Sequence, residues 1–144
     1  MKLFLYLSAA LAILSACSST SAANPDPRNP AHCVAAFHYG RELMLTGDNP
    51  DYKVAIGMTG RALFEMKRLP SSELTTSKEI GADLLNKYQN NTDVMQKLLL
   101  DCRANQNADP SFQAADKSGA IMAAARKIDP ICKDDRACLA GKKY

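Results

Sequence analysis

"NPAHCVAAFHYGRELMLTGDNP", residues 29–50, begins and ends on the same dipeptide. An Asn side chain ahead of a helix accepts from the free amides of its first turn. A proline at the next position has no amide to leave unpaired, and its φ already suits a helix. The stretch therefore reads as one helix followed by the start of a second. Within it Cys33, Ala36, Phe37, Gly40 and Met44 recur at helical spacing and form one small or apolar face. Further along, Pro70, Pro110 and Pro130 keep intervals of 20 or twice 20 residues, and Asp109-Pro110 and Asp129-Pro130 repeat the capping chemistry. The one beat without proline falls in Asn90-Asn91-Thr92-Asp93, again a run of capping residues.

Side-chain periodicity agrees. Tyr52, Ala55, Ile56, Leu63 and Met66 share a face, with Thr59 the one polar exception. Val94, Met95, Leu98, Leu99 and Cys102 form another, and Phe112, Ala115, Gly119, Met122 and Ala125 a third built with small residues. No stretch alternates as a strand does. The sequence predicts an all-α fold: a compact up-down bundle of about five helices, near 30–46, 50–68, 73–89, 92–105 and 110–128, plus a short C-terminal turn or helix near 135–141. A stack of 40-residue hairpin repeats is the alternative, but the helices share caps rather than side chains at matched positions.

Of the five cysteines, Cys33, Cys102, Cys132 and Cys138 fall in this helical region. An even set in an exported chain points to two disulfides. Up-down order places Cys33 and Cys102 at one end of the bundle and Cys132 near the other. A helix of about 19 residues is about 28 Å long, whereas bonded cysteines need Cα atoms within about 7 Å. Cys33–Cys102 and Cys132–Cys138 are the expected pairs. The local pair requires that Cys132 precede a helix start, for which Asp134 is the expected cap. By the chain-entropy estimate the long loop contributes roughly 4 kcal/mol and the short one less.

Residues 1–16 read as a targeting segment: Lys2, then an apolar run from Leu3 to Leu14 broken only by Ser8, too short for an ordinary membrane span. Two cleavage signals follow. Ser21-Ala22-Ala23 suits ordinary signal peptidase and would release a soluble periplasmic chain beginning at Asn24. Leu14-Ser15-Ala16-Cys17 resembles the lipobox of bacterial lipoproteins: an aliphatic residue, two small residues, then Cys. The resemblance covers only residues 1–17. It implies a thioether-linked diacylglycerol on Cys17 and cleavage just before it; Ser18, not Asp, in the next position implies sorting to the outer membrane. Residues 17–29 then form the lipidated N-terminus and a Ser-, Ala-, Asn- and Pro-rich tether, and 30–144 the helical domain.

Loss of Lys2 lowers the formal charge from +3 to +2, with both signs scattered. That excludes the basic footprint of a nucleic-acid binder. No catalytic residue, metal site or cofactor motif is found. His32 and His38 are six apart on one helix and diverge, and read as surface or boundary residues, with His38 beside Glu42 at helical spacing. Ser71, Ser72 and Ser77 lie where serines cap helices and have no visible base. Asp134-Asp135 is too little for a calcium loop. Gly57, Gly60, Gly81 and Gly119 inside predicted helices suggest close packing, Met44, Met58 and Met66 an adaptable core or groove, and Arg61, Lys67 and Arg68 a modest basic strip.

The expectation is a non-enzymatic binding or interaction module, lipid-anchored in the cell envelope, facing the periplasm and meeting another envelope protein. The alternatives are a soluble periplasmic chaperone, an immunity- or inhibitor-type protein, and an enzyme whose site is not recognisable in the sequence. Mass spectrometry of the mature N-terminus should find acylated Cys17, and Cys17→Ala should abolish acylation; an unacylated native chain starting at Asn24 would overturn the lipobox reading.

Overall fold

In the computed structural model, residues 24–144 are described. The leader, both cleavage signals and Cys17 lie outside them. The described chain forms α1 (Pro30–Leu45), α2 (Tyr52–Arg68), a 3-10 turn (Ser71–Glu73) that runs into α3 (Leu74–Tyr88), α4 (Thr92–Ala108), α5 (Pro110–Lys117), α6 (Ala120–Ile128) and α7 (Arg136–Leu139). Among the described residues there is no strand. The described residues are all-helical, with seven α-helices where about five plus a short C-terminal turn or helix were expected.

The caps explain most boundaries. The Asn29 side chain accepts from the Ala31 amide, and Asp109 from the amides of Ser111 and Phe112. Asn91 caps α4 through the Val94 amide. Two of the Asn/Asp-Pro steps behave differently from expectation. At Asn49-Pro50 the helix starts two residues later, because the carboxylate of Asp51 reaches the Val54 amide at 3.0 Å and takes the capping role. At Asp129-Pro130 no helix starts at all: Asp129 closes α6, and its carboxylate is drawn inward. The last helix is capped by Asp135, not Asp134; its side chain accepts from the Ala137 and Cys138 amides.

The predicted helix over 110–128 is two helices. Gly119 has φ +75°, a left-handed conformation that ends α5 and starts α6 on a new axis. The redirected chain lets α5 pack on α4 while α6 packs on α2.

Helix α1 is central and packs against α2, α3 and α4. Its small residues make this possible: Ala31, Ala35, Ala36 and Gly40 are all buried. Contacts between α1 and α4, and between α2 and α6, join elements distant in sequence. A one-dimensional repeat stack lacks such contacts, so the chain is a bundle. The core has two parts. One gathers Phe37, Met58, Leu84 and Leu98 around Cys33 and Cys102. The other gathers Ile56 and Ala125 around Cys132 and Cys138, with Met122, Ile131 and Tyr144 against it. Cys33 is bonded to Cys102 with Cα atoms 5.6 Å apart, and Cys132 to Cys138 with Cα atoms 5.1 Å apart.

Of the residues 17–29 expected as lipidated N-terminus and tether, those from 24 on are described, and several are held on the domain. The Pro27 carbonyl accepts from the Asn105 side-chain amide at 2.9 Å, and the Asp26 amide donates to His32 Nδ1 at 3.0 Å. Prolines 25 and 27 lie along α4. Residues 25–29 therefore belong to the folded domain.

Close packing of α2 on α6 depends on Gly60. A Cβ there would lie 2.7 Å from Ile121 Cγ2 and 3.0 Å from the Ile121 carbonyl oxygen. Gly57, one turn earlier, has only Met122 Sδ at 3.8 Å. Urea unfolding should show Gly60→Ala losing about 1–3 kcal/mol through overpacking, while Gly57→Ala gains up to about 1 kcal/mol from helix propensity and reduced chain entropy. Equal effects at the two positions would contradict this packing.

Candidate functional site

The strongest polar feature of the interior is built from residues on three helices and a turn. Asp129 is 1% exposed. Its Oδ2 accepts from Arg41 Nε at 3.0 Å and from the Thr59 hydroxyl, and its Oδ1 accepts from Arg41 Nη2 at 3.0 Å and from the Ile131 amide at 2.9 Å. Arg41 comes from the last turns of α1, Thr59 from the middle of α2, and Asp129 from the end of α6. The bidentate Arg fork matches the planar carboxylate. With four donors, the roughly four lone-pair sites of the carboxylate are filled. Burial alone would push the Asp129 carboxyl up; Arg41, the Thr59 hydroxyl and the Ile131 amide outweigh it and hold it below the ordinary value. Hydrogen bonding to Asp129 likewise raises Arg41. This carboxylate is a structural tie with no free valence for proton transfer.

A second cluster joins α2 to α4. Glu65, 2% exposed, accepts from the Gln106 amide at 2.7 Å and from Arg68 at 3.2 Å. The same Gln106 amide nitrogen donates to the Arg61 carbonyl, and its oxygen accepts from the Arg61 guanidinium at 3.0 Å. Of the expected basic strip, Arg61 is tied into this network, Arg68 reaches Glu65 from an exposed position, and Lys67 is exposed.

Beside the Asp129 tie, α1 and α2 leave an apolar groove of about 210 Å³ that the end of α6 borders. Val34, Ala62, Leu63, Met58, Met66 and Ile128 line it, with His38 on the α1 side and Arg41 and Thr59 also in its wall. Ile128 is 58% exposed, unusually open for a residue of its type. Met58 and Met66, eight residues apart on α2, share this wall; Met44 is not part of it.

The remaining sequence candidates are distributed through the fold. His32 is buried rather than at a surface or boundary, because its Nδ1 accepts the Asp26 amide; burial lowers its pKa, with the nearby Asp26 carboxylate opposing. Glu42 is engaged by Arg41 at 2.6 Å rather than by His38. Ser71 and Ser72 lie on the 3-10 turn, and the Ser77 hydroxyl donates to the Leu74 carbonyl. Cys17 lies outside the described residues. Among the described residues, no group of three or more His, Cys, Asp or Glu is placed to hold a metal. No helix of that region is long and apolar enough to cross a membrane.

Sequence reasoning missed Arg41, Glu65, Gln106 and the inward turn of Asp129. One signal was available: Thr59 interrupts the apolar face of α2, and it is the residue that meets Asp129. No family model, no curated protein and no solved structure matches the chain.

The Asp129 tie fixes a pH dependence. A depressed folded-state carboxyl contributes stability that is present above its unfolded value, about 3.9, and is lost as pH falls through the folded value. Asp129→Ala should cost about 3–5 kcal/mol at neutral pH, because the half-buried Arg41 loses its bidentate partner and keeps only the exposed Glu42. Its penalty in urea titrations should shrink below about pH 4. A penalty independent of pH across that window would show that the carboxylate charge is not what matters.

Proposed function

We propose that this chain is a small lipid-anchored protein of the cell envelope, at the outer membrane, that works as a non-enzymatic interaction module. The anchor rests on the lipobox-like Leu14-Ser15-Ala16-Cys17. A periplasmic address agrees with two disulfides, which persist in oxidising compartments. The observation that carries the binding reading is the apolar groove between α1 and α2. Its thioether side chains are flexible and polarizable, which lets a wall adapt to an irregular partner surface. Its polar end is closed by a self-satisfied ion pair, so an apolar segment can lie there without stranding a buried charge. The partner is another envelope protein presenting such a segment, and the bundle acts as an accessory, inhibitor or holdase for it.

Leu63 and Ile128 sit on the rim of the groove and are not fully buried, so Leu63→Lys and Ile128→Lys should leave the fold intact. In affinity capture from detergent-solubilised envelopes, the wild-type chain should retain a defined envelope protein that the double variant loses by at least about tenfold, the loss of a few buried apolar contacts. Retention of the same protein by both forms would remove the groove from the interaction, and capture of none by the wild type would remove the interaction reading.

A further inference from the structure

A different pocket opens on the other side of α2, where α4, α5 and α6 meet it. It encloses about 210 Å³, and its wall carries Arg61, Arg103 and Asp116 next to Phe112, Ile121 and Met122. The guanidinium of Arg61 lies 4.7 Å over the Phe112 ring, and that ring meets Phe64 edge-on at 5.1 Å. Arg61 Nη1 and Nη2 donate to the side-chain oxygens of Gln106 and Asn107 at 3.0 and 3.1 Å. These contacts fix the fork in place, but both acceptors are neutral amides and leave its charge uncancelled. Arg103 lies one turn before Gln106 and Asn107 on the same side of α4.

The charge count is the informative feature. Neither Arg61 nor Arg103 forms an ion pair with another described residue. Asp116 is the only carboxylate in the wall, so two cations face one anion. Desolvation and the neighbouring Arg103 both lower the Arg61 pKa, and Asp116 opposes them. A half-buried cation that repels its neighbour is stabilised by an incoming anion. Asp116 would repel a second negative charge, which selects a monoanion over a dianion. The aromatic and aliphatic residues beside the guanidinium supply apolar area but no further charge.

We infer that this pocket binds an amphiphilic monocarboxylate, its carboxylate held between Arg61 and Arg103 and its apolar body against Phe112, Ile121 and Met122. The guanidinium of Arg61 spends two of its five N–H donors on the Gln106 and Asn107 amides, and the remaining three are held in place for a carboxylate. The carboxylate can come from a free fatty-acid-like molecule or from the C-terminus of a peptide ending in an apolar residue. This site does not involve the lipid anchor, and it shares only Met58 with the α1–α2 groove.

The test is an NMR titration of the isotope-labelled chain with hexanoate, hexanol, acetate and inorganic phosphate. Hexanoate should shift the Arg61 side-chain N–H and the Met122 methyl signals saturably. Hexanol, which lacks the charge, and acetate, which lacks the tail, should each bind at least about tenfold more weakly, as expected for loss of one charged hydrogen bond or a few buried methylenes. Arg103 and Asp116 are exposed, so their replacement leaves the core untouched. Arg103→Gln should weaken hexanoate by about tenfold, and Asp116→Asn should tighten it and admit phosphate. An acetylated dipeptide ending in Leu, compared with its C-terminal amide, separates the two sources: tighter binding than hexanoate, lost on amidation, assigns the site to peptide ends, and weaker binding assigns it to free acids. Equal affinity for hexanol and hexanoate, no change on Arg103→Gln, or hexanoate shifts confined to other surfaces would each overturn the proposal.

Discussion

The carboxylate of Asp129 is the constraint around which the bundle is arranged. A charge taken from water costs several kcal/mol unless its partners replace hydration in full. Here Arg41, Thr59 and the Ile131 amide do so together. Because the three partners come from α1, α2 and the turn after α6, satisfying one carboxylate fixes the relative positions of all three. Sliding α6 along α2 by one turn, about 5.4 Å, would strand the buried Asp129 carboxylate and leave Arg41 only the exposed Glu42. The close fit of Gly60 against Ile121 opposes the same slide. The Asp129 tie also sets the geometry of the adjacent groove, since Arg41 and Thr59 belong to its wall.

Two further devices act on the same problem. Small residues bring helices close: Ala35 and Ala36 on α1, and Gly60 on α2. Each disulfide lies in one of the two core clusters, where the number of large side chains is small. A domain of this size buries a modest apolar area, and covalent closure of the unfolded chain compensates. The two bonds differ in reach. Cys33–Cys102 spans 69 residues and ties α1 to α4, whereas Cys132–Cys138 spans 6 and shapes only the C-terminal turn. The second cluster therefore depends more on noncovalent contacts with α2, the Asp129 tie among them.

How much of this was readable from the residues follows from the range of each effect. Caps and apolar periodicity are local, and they located the helices: Asn29, Asn91 and Asp109 cap as their chemistry requires. Cysteine pairing is long-range but follows from helix length and order, which local signals supply. The failures occurred where a local rule met a tertiary demand. Asp129 followed by proline has the chemistry of a cap, yet Arg41, 88 residues away, claims its carboxylate. Gly119 looked like one more small residue on a helix face, but the junction of α5 and α6 needs its left-handed conformation. Among candidate sites, Met44, Met58 and Met66 were flagged, and the two on α2, Met58 and Met66, line the groove. The Arg61–Arg103 pocket was invisible, because it needs α2 and α4 placed side by side.

The Cys33–Cys102 bond also dictates how the domain carries load. Pulled from its two ends, an oxidised chain transmits force through the sulfur bridge, so the 69-residue loop that it closes bears no tension and cannot pay out. Extension is confined to the short stretch before Cys33 and the segment beyond Cys102. Under such a pull α5, α6 and α7 would peel away first, while α2 and α3 stay looped against α1 and α4 and ready to receive them again.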